Sequence, residues 1–420
     1  MSENEGMVSR NLQKKMDEIK ETEIIVGIPS FNNAKTIGHV VRAVQAGLTK
    51  YFPERRAVIV NSDGGSTDGT VEVVQHTAID DFDAILVKHR KDPILKITTP
   101  YHGLPGKGSA FRTIFEIAHS LKAKACIVVD SDLRSITPEW VELLVTPIFV
   151  KDYDFVAPLY LRHKYDGTIT NSIIYPLTRA LYGKRVRQPI GGDFGFSGTL
   201  ASFYLSQDVW DTDVAKYGID IWMTTTAMAN GFRICQSFLG AKIHDPKDPG
   251  ADLSAMLYQV VGAAFDLMDQ YPDKWREIEG SEAVPTFGFN YTVGLEPIAV
   301  QIDRMIGKFQ LGAKELISVW QEFLSRDVID YLRGAASLPV SQFSFPDETW
   351  VEIIYCFALA AHKRLINREH LLRSLTPLYI GRTAAFVKET GESDAVQVEE
   401  KIEGLCRMFE QKKPFLGANW

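Results

Sequence analysis

The sequence predicts an α/β protein: a mostly parallel sheet flanked by helices, followed by a helical C-terminal extension. Three observations predict it. From Glu23 onward, short β-branched apolar runs alternate with stretches of helical periodicity, the pattern of a doubly wound sheet. The runs are apolar throughout, as strands covered on both faces must be. Past about residue 295 only helical patterning remains.

Taken in order, Ile24-Ile25-Val26-Gly27-Ile28 is a buried first strand that stops at Pro29. Ile37, Val40, Val41, Val44 and Leu48 mark one face of a helix. Val58-Ile59-Val60 is a second strand, a helix begins at Thr70, and Ile85-Leu86-Val87 is a third strand. A helix over 108–122 carries Phe111, Ile114, Phe115, Ala118 and Leu121 on its apolar face. The strand Ala125-Cys126-Ile127-Val128-Val129 follows, and Thr137-Pro138 caps and opens the next helix. In the last third, Ile302, Ile306, Leu316, Ile317 and Trp320 share a helical stripe, as do Val351, Ile354, Tyr355, Ala358 and Leu359, with a closing helix over 399–411.

The chain has 420 residues, 45% hydrophobic and 24% charged, with a formal net charge of −7. That length holds one large α/β domain with a smaller attachment. The acidic balance argues against a nucleic-acid partner. Cys126, Cys235, Cys356 and Cys406 are scattered without paired spacing, as befits reduced thiols in the cytoplasm. The polar N-terminus is no signal peptide, and no apolar run reaches membrane-spanning length, so no membrane partner is expected. A membrane-embedded polysaccharide synthase is therefore disfavoured. The apolar stripes of the extension favour a homodimer.

Ligands of parallel sheets bind beyond the carboxyl ends of the strands, and the chemistry-bearing residues cluster there. Asp130-Ser131-Asp132 places two acids at a strand end, where a cation or partner must neutralise them. The first strand empties into Pro29-Ser30-Phe31-Asn32-Asn33 and the second into Asp63-Gly64-Gly65-Ser66-Thr67-Asp68-Gly69. Asp63 suits a base or ribose edge, while the Gly-Ser-Thr-Asp-Gly run equally suits a turn and a helix cap. Gly106-Lys107-Gly108 sets a lysine at a helix N-terminus, a place for an anion, although the P-loop spacing fails. Gln188-Pro189-Ile190-Gly191-Gly192-Asp193 is a glycine-dense turn, and Tyr217-Gly218-Ile219-Asp220 opens an apolar helix. In Lys242-Ile243-His244 a lysine and an imidazole share a strand face, an arrangement suited to a diphosphate.

In this order the pieces resemble GT-A glycosyltransferases, which have a Rossmann-like sheet, and more narrowly the glucosyl-3-phosphoglycerate and glucosylglycerate synthases. The resemblance runs from about Ile24 to Met256. It implies a 1–20 helical segment, a 21–290 catalytic domain binding a nucleotide-sugar, and a 291–420 helical extension. It also implies a divalent metal, Mg²⁺ or Mn²⁺, on Asp132 and His244. The nucleotide-sugar would lie among Pro29, Phe31, Asn32, Asp63, Ser66, Lys107, Asp130, Ser131, Ile190 and Gly191, with Lys107 and Lys242 neutralising the diphosphate. Asp130 and Lys242 count among its catalytic residues. So does Asp220, in the slot of a family glutamate that orients the acceptor. Tyr217 would join Asp220 at the acceptor, with the loop Gly167-Thr168-Ile169-Thr170. The implied reaction is retaining transfer of a hexose, glucose first, from a nucleoside-diphosphate sugar to D-glycerate or 3-phosphoglycerate, making a compatible solute.

Two departures bear on the acceptor and the donor. Where the phosphoglycerate enzymes carry an arginine in the acceptor loop, Thr168 stands here, which favours unphosphorylated D-glycerate. Arg162, His163 and Lys164 just upstream are either a second phosphate grip or a solvated cluster. Asn33-Ala34 replaces an acidic pair, so the nucleotide is open, and mannosyl transfer from GDP-mannose is an alternative. A sugar-1-phosphate nucleotidyltransferase is another, though its glycine-rich loop is missing after the first strand. The full set Asp132, His244 and Lys107 argues against a non-catalytic nucleotide-sugar sensor.

Overall fold

The computed structural model describes residues 12–77, 92–101, 103–243, 254–289, 298 and 300–420. They fall into two compact units: one from Met1–Leu161, Ile190–Asp245 and Val284–Gly294, the other from Arg162–Pro189, Pro246–Ala283 and Leu295–Trp420.

The first unit is built on an eight-stranded sheet. Its strands are β1 (Ile24–Ser30), β2 (Ala57–Asp63), β3 (Leu95–Pro100), β4 (Ala125–Val128), β5 (Phe155–Leu161), β6 (Phe194–Ser197), β7 (Ile234–Ala241) and β8 (Thr286–Phe287). They lie in the order β8-β7-β5-β6-β4-β1-β2-β3. All pairings are parallel except those of β6, which runs antiparallel to both β4 and β5. Helices α1 (Ile37–Tyr51), α2 (Thr70–His76), α3 (Lys107–Ser120), α4 (Pro138–Lys151), α5 (Gly198–Leu205) and α6 (Ile219–Ala229) complete it. The expected α/β plan is what the chain adopts. Val40, Val41, Val44 and Leu48 of α1 are fully buried with Val26 and Ile28 of β1 and Trp140 and Val141 of α4. Burying one such side chain contributes about 1.5–3 kcal/mol.

Two expectations are corrected, and a third falls outside the described residues. β1 does not stop at Pro29 but continues to Ser30, pairing Pro29 with Ser62. The carbonyl of Gly27 accepts from Val129, so Pro29, two residues on, turns its missing N–H toward the side where β4 has already ended. The strand next to β2 is Leu95–Pro100; Ile85-Leu86-Val87 lies outside the described residues. The glycine-dense turn leads directly into β6, whose Gly195 lets Leu144 of α4 approach so closely that a Cβ would sit 2.5 Å from its carbonyl oxygen.

The second unit is helical, with a two-stranded parallel pairing of Lys184–Arg185 and Glu282–Ala283. Its helices include Tyr175–Tyr182, Ser254–Gln270, Ile302–Trp320, Asp347–His362, Arg368–Glu389 and Ala395–Asn419, which confirms the helical C-terminal region. Gly312 meets Pro377 and Gly381 meets Phe309, so the third and fifth of these helices cross with almost no space between them. Buried Arg179 pairs with Glu403 and Glu410 of the last helix, and a capping box of Asp394 and Gln397 opens that helix. No helix among the described residues is long and apolar enough to cross a membrane.

Candidate active site

Because β1, β2, β4, β5 and β7 run in one direction, the loops after them gather at one edge of the sheet. β6 runs the other way, so its beginning lies at that same edge. Sequence reading missed this and with it Asp193, the residue just before β6.

At the β1–β2 end, Asp63 anchors a loop. Its Oδ1 accepts from Ser30 Oγ at 2.8 Å and Ser66 Oγ at 2.6 Å. Its Oδ2 accepts from the Gly65 and Ser66 amides at 2.9 and 2.7 Å. The two loops are then laced together: Asn32 N donates to Ser66 Oγ, Thr67 N to Asn32 Oδ1, and Ala34 N to Asp68 Oδ2. Asn32 takes a left-handed backbone, φ 55°, which asparagine tolerates. Phe31 stands 61% exposed above Gly64, where a Cβ would come within 3.1 Å of its ring. Ser131 joins this side by donating to Asn33 Oδ1 at 2.8 Å.

At the β4 end the carboxylates meet ammonium groups. Lys107, the first residue of α3, lies 2.8 Å from Asp130 Oδ1 and 3.5 Å from Asp220 at the start of α6. Lys242, directly after β7, donates to Asp130 Oδ2 at 2.7 Å, Asp193 Oδ2 at 2.7 Å and the Gly191 carbonyl at 2.8 Å. Asp193 in turn accepts from the Asp130 amide at 2.8 Å and from the Tyr160 hydroxyl. Burial works against ionisation of Asp130, but the two ammonium groups outweigh it and hold its carboxyl well below the usual range. Burial also opposes charge on Lys107, and Asp130 and Asp220 outweigh it, raising that ammonium. Asp220 goes the other way: burial raises its carboxyl, with Lys107 only partly offsetting. Its Oδ1 has no hydrogen-bond partner among the described residues.

Glycines make this approach possible. A Cβ on Gly192 (φ +94°) would lie 2.4 Å from Asp130 Oδ2 and 2.9 Å from Lys242 Nζ. Cβ atoms on Gly106 and Gly108 would strike the backbone of 214–216 at 2.5 and 1.9 Å. The glycines around Lys107 therefore seat α3 on the turn that leads to Tyr217 and Asp220; Tyr217 itself is 49% exposed.

Of the remaining expected residues, Pro29, Ile190 and Asp132 are half-buried. His244 lies outside the described residues. Among those described, no group of three or more His, Cys, Asp and Glu converges as a metal cage. Asp132 offers a hard oxygen donor, and both oxygens of Asp130 are already held by ammonium groups. That sparse set fits an ion that keeps water and ligand phosphates in its shell, as Mg²⁺ does. The loop after Asp132 is tied to β7's continuation, Arg134 N donating to Ile243 O and Ile243 N to Ser135 Oγ, both at 2.9 Å.

Gly167, Thr168, Ile169 and Thr170 belong to the second unit. Thr168, Ile169 and Thr170 are buried there, and Thr168 Oγ1 is 2.5 Å from the Tyr379 hydroxyl. Lys164 donates to the carbonyls of Thr390, Gly391 and Ser393, closing the end of helix Arg368–Glu389, which decides the cluster 162–164 against a solvated lysine.

Residues 25–210 match the family described as Glycosyl transferase family 2. A glucosyl-3-phosphoglycerate synthase of Petrotoga mobilis (strain DSM 10674 / SJ95) is 24% identical over 278 residues, covering 61% of this chain and 77% of that relative. Two solved structures of glucosyl-3-phosphoglycerate synthase from Mycobacterium tuberculosis are each 22% identical, with TM-scores of 0.44. One, in complex with Mg²⁺ and UDP, is covered to 83% by 60% of this chain. The other, with Mn²⁺, UDP-glucose and phosphoglyceric acid, is covered to 84%, again by 60% of this chain. Residues 25–210 thus match the glycosyltransferase family 2 description, and the chain is similar to a glucosyl-3-phosphoglycerate synthase.

Proposed function

We propose that the protein transfers a hexose, glucose first, from a nucleoside-diphosphate sugar to D-glycerate, with retention of configuration and with a divalent metal. The observation that carries this is the Lys107–Asp130–Asp220 constellation at the carboxyl edge of the sheet, where Asp220 is buried and its Oδ1, 3.5 Å from the Lys107 ammonium, has no hydrogen-bond partner among the described residues.

The exposed ring of Phe31 offers a stacking face for the base, and the Asp63 loop shapes the ribose side. Asp130, fixed between two ammonium groups, presents its edge to the sugar. Lys107 faces the diphosphate from a helix N-terminus. Asp132, with His244 as second ligand, would hold Mg²⁺ or Mn²⁺, which takes up negative charge on the leaving diphosphate. Asp220 Oδ1 accepts a hydrogen bond from the acceptor hydroxyl and orients it toward the anomeric carbon. The unphosphorylated acceptor is supported by Thr168 in place of an arginine and by Lys164, whose ammonium is committed to three carbonyls. The four free, buried cysteines fit a cytoplasmic protein, and a homodimer is the expected assembly.

The test is a product assay across UDP-, GDP- and ADP-sugars with D-glycerate and 3-phosphoglycerate, with and without Mg²⁺ or Mn²⁺. Metal-dependent transfer to D-glycerate is expected; a large preference for 3-phosphoglycerate rejects the acceptor, and no transfer from any donor rejects the activity. Asp132→Ala is expected to remove metal-dependent transfer, by at least about 10³-fold, while circular dichroism and Tm stay at wild-type values.

A further inference from the structure

Lys242 stands at the carboxyl edge of the sheet with its ammonium turned inward. Its side chain is 4% exposed, and its three N–H donors go to Asp130, Asp193 and the Gly191 carbonyl. An ammonium has three donors and no more, so this charge is not available to a diphosphate. Behind it stands Asp193, fully buried, accepting from Lys242, from the Asp130 amide and from the Tyr160 hydroxyl.

The backbone brings these groups together by two departures from regular sheet. β6 enters antiparallel, so Asp193 at its start lies beside Asp130 at the end of β4, next to the Val128–Phe194 pair. Along β5 and β7 the register slips: Leu159 faces Phe238, but Tyr160 faces Gly240. This bulge, with Gly240 at φ +79°, re-aims Tyr160 at the strand end. The ring is then pinned, 5.5 Å from that of Trp140 and 5.2 Å under the Lys242 ammonium.

We propose that Asp193 and Tyr160 are positioning residues of the transferase: they fix the Lys242 ammonium against Asp130, and so set the angle at which the Asp130 carboxylate meets the donor sugar. This rests on the glycosyl-transfer reading. Neither residue touches substrate. Asp193 acts through Lys242, and Tyr160 acts through Asp193. The arrangement assigns the two lysines different tasks. Lys107 holds Asp130 from the ligand side, while Lys242 holds it from the protein side.

The experiment compares wild type with Y160F, D193N, K242M and D193N/K242M, using the donor and acceptor that the product assay selects. D193N is expected to lower kcat about 10²-fold, and Y160F about 5-fold, each leaving the donor KM within about twofold. The double variant is expected to match K242M within about threefold, because Asp193 has no role once the ammonium is gone. A second readout is independent of turnover: acylation of Lys242 by an N-hydroxysuccinimide ester, followed by peptide mass spectrometry, rises about tenfold in D193N. Wild-type kcat and unchanged Lys242 labelling in both Y160F and D193N overturn the proposal, as does a double variant whose losses simply multiply. If the wild type transfers nothing, the glycosyl-transfer reading falls and the labelling alone decides the positioning role.

Discussion

Two neighbouring strand ends satisfy a carboxylate, buried in one and half-buried in the other, in opposite ways. Asp63, the last residue of β2, is met by neutral donors: two hydroxyls and two amides. Asp130, after β4, is met by two ammonium groups, one on each oxygen. Neutral hydrogen bonds shape backbone and leave the local charge negative. Ion pairs cancel charge and leave the geometry dependent on each partner's place. The first end therefore works as a frame, whereas the second works as a balanced electrostatic cluster that a ligand's charge can redistribute.

Breaking the second end has the largest expected effect. Asp130→Asn takes away the carboxylate that two ammonium groups share and leaves Lys242 with Asp193 and Lys107 with Asp220, so transfer falls about 10³-fold and stability by about 1–3 kcal/mol, read by initial rates and denaturant titration. The sign of the pH dependence follows from the depressed carboxyl. Its stabilisation is complete above the unfolded value of about 3.9 and is lost as pH falls through the lower folded value. The stability gap between wild type and Asp130→Asn is thus expected to be full at pH 6 and to shrink in acid.

Gly192→Ala sharpens the comparison, since it adds one methyl group against Asp130 and Lys242 without changing any charge. Transfer is expected to fall about 10²-fold with the fold retained, as judged by circular dichroism and rates. At the first end, Asp63→Asn loses acceptors for two of its four donors. Stability is expected to drop by about 1–3 kcal/mol, and the donor KM to rise about tenfold with kcat nearly unchanged. The smallest effect is expected at an exposed control pair, Lys50–Glu139, 49% and 46% exposed. Burial is the largest single influence on Glu139 and opposes its charge, but hydrogen bonds from Lys50, its own amide, Thr137 and Tyr51 together outweigh it and hold the carboxyl at about 2. Glu139→Gln is expected to cost less than about 1 kcal/mol after solvent screening, with transfer unchanged. That small contribution is present above about pH 4.3 and disappears as pH falls through about 2.

Local signals made much of the fold legible. The apolar runs of β1, β2 and β4 and the stripe of α1 announce themselves because each is buried on its own account. Lys107, Asp130 and Asp220 were legible as motif pieces at strand and helix ends. What stayed hidden depends on distant partners. The segment of β6 reads as a turn because Gly195 weakens its strand signal, and its direction is set by β4 and β5. Pro29 reads as a stop, since only the early end of β4 makes a proline acceptable there. Asp193 and Tyr160 are 33 positions apart in sequence, and neither sits in a metal or nucleotide motif. One signal did exist: an acid between Gly192 and Phe194, at the head of an apolar stretch, is expensive to bury unless a cation meets it.

The seat beneath α3 has a consequence for how this pocket can be altered. Gly106 and Gly108 rest directly on the chain at 214–216, and the Gly108 amide donates to the Lys216 carbonyl. The helix bearing Lys107 and the turn preceding Asp220 are thereby mechanically joined, with no room even for a methyl group between them. Any redesign that retunes the gap between those two side chains must be made from the open flank at Tyr217, because the glycine flank admits none.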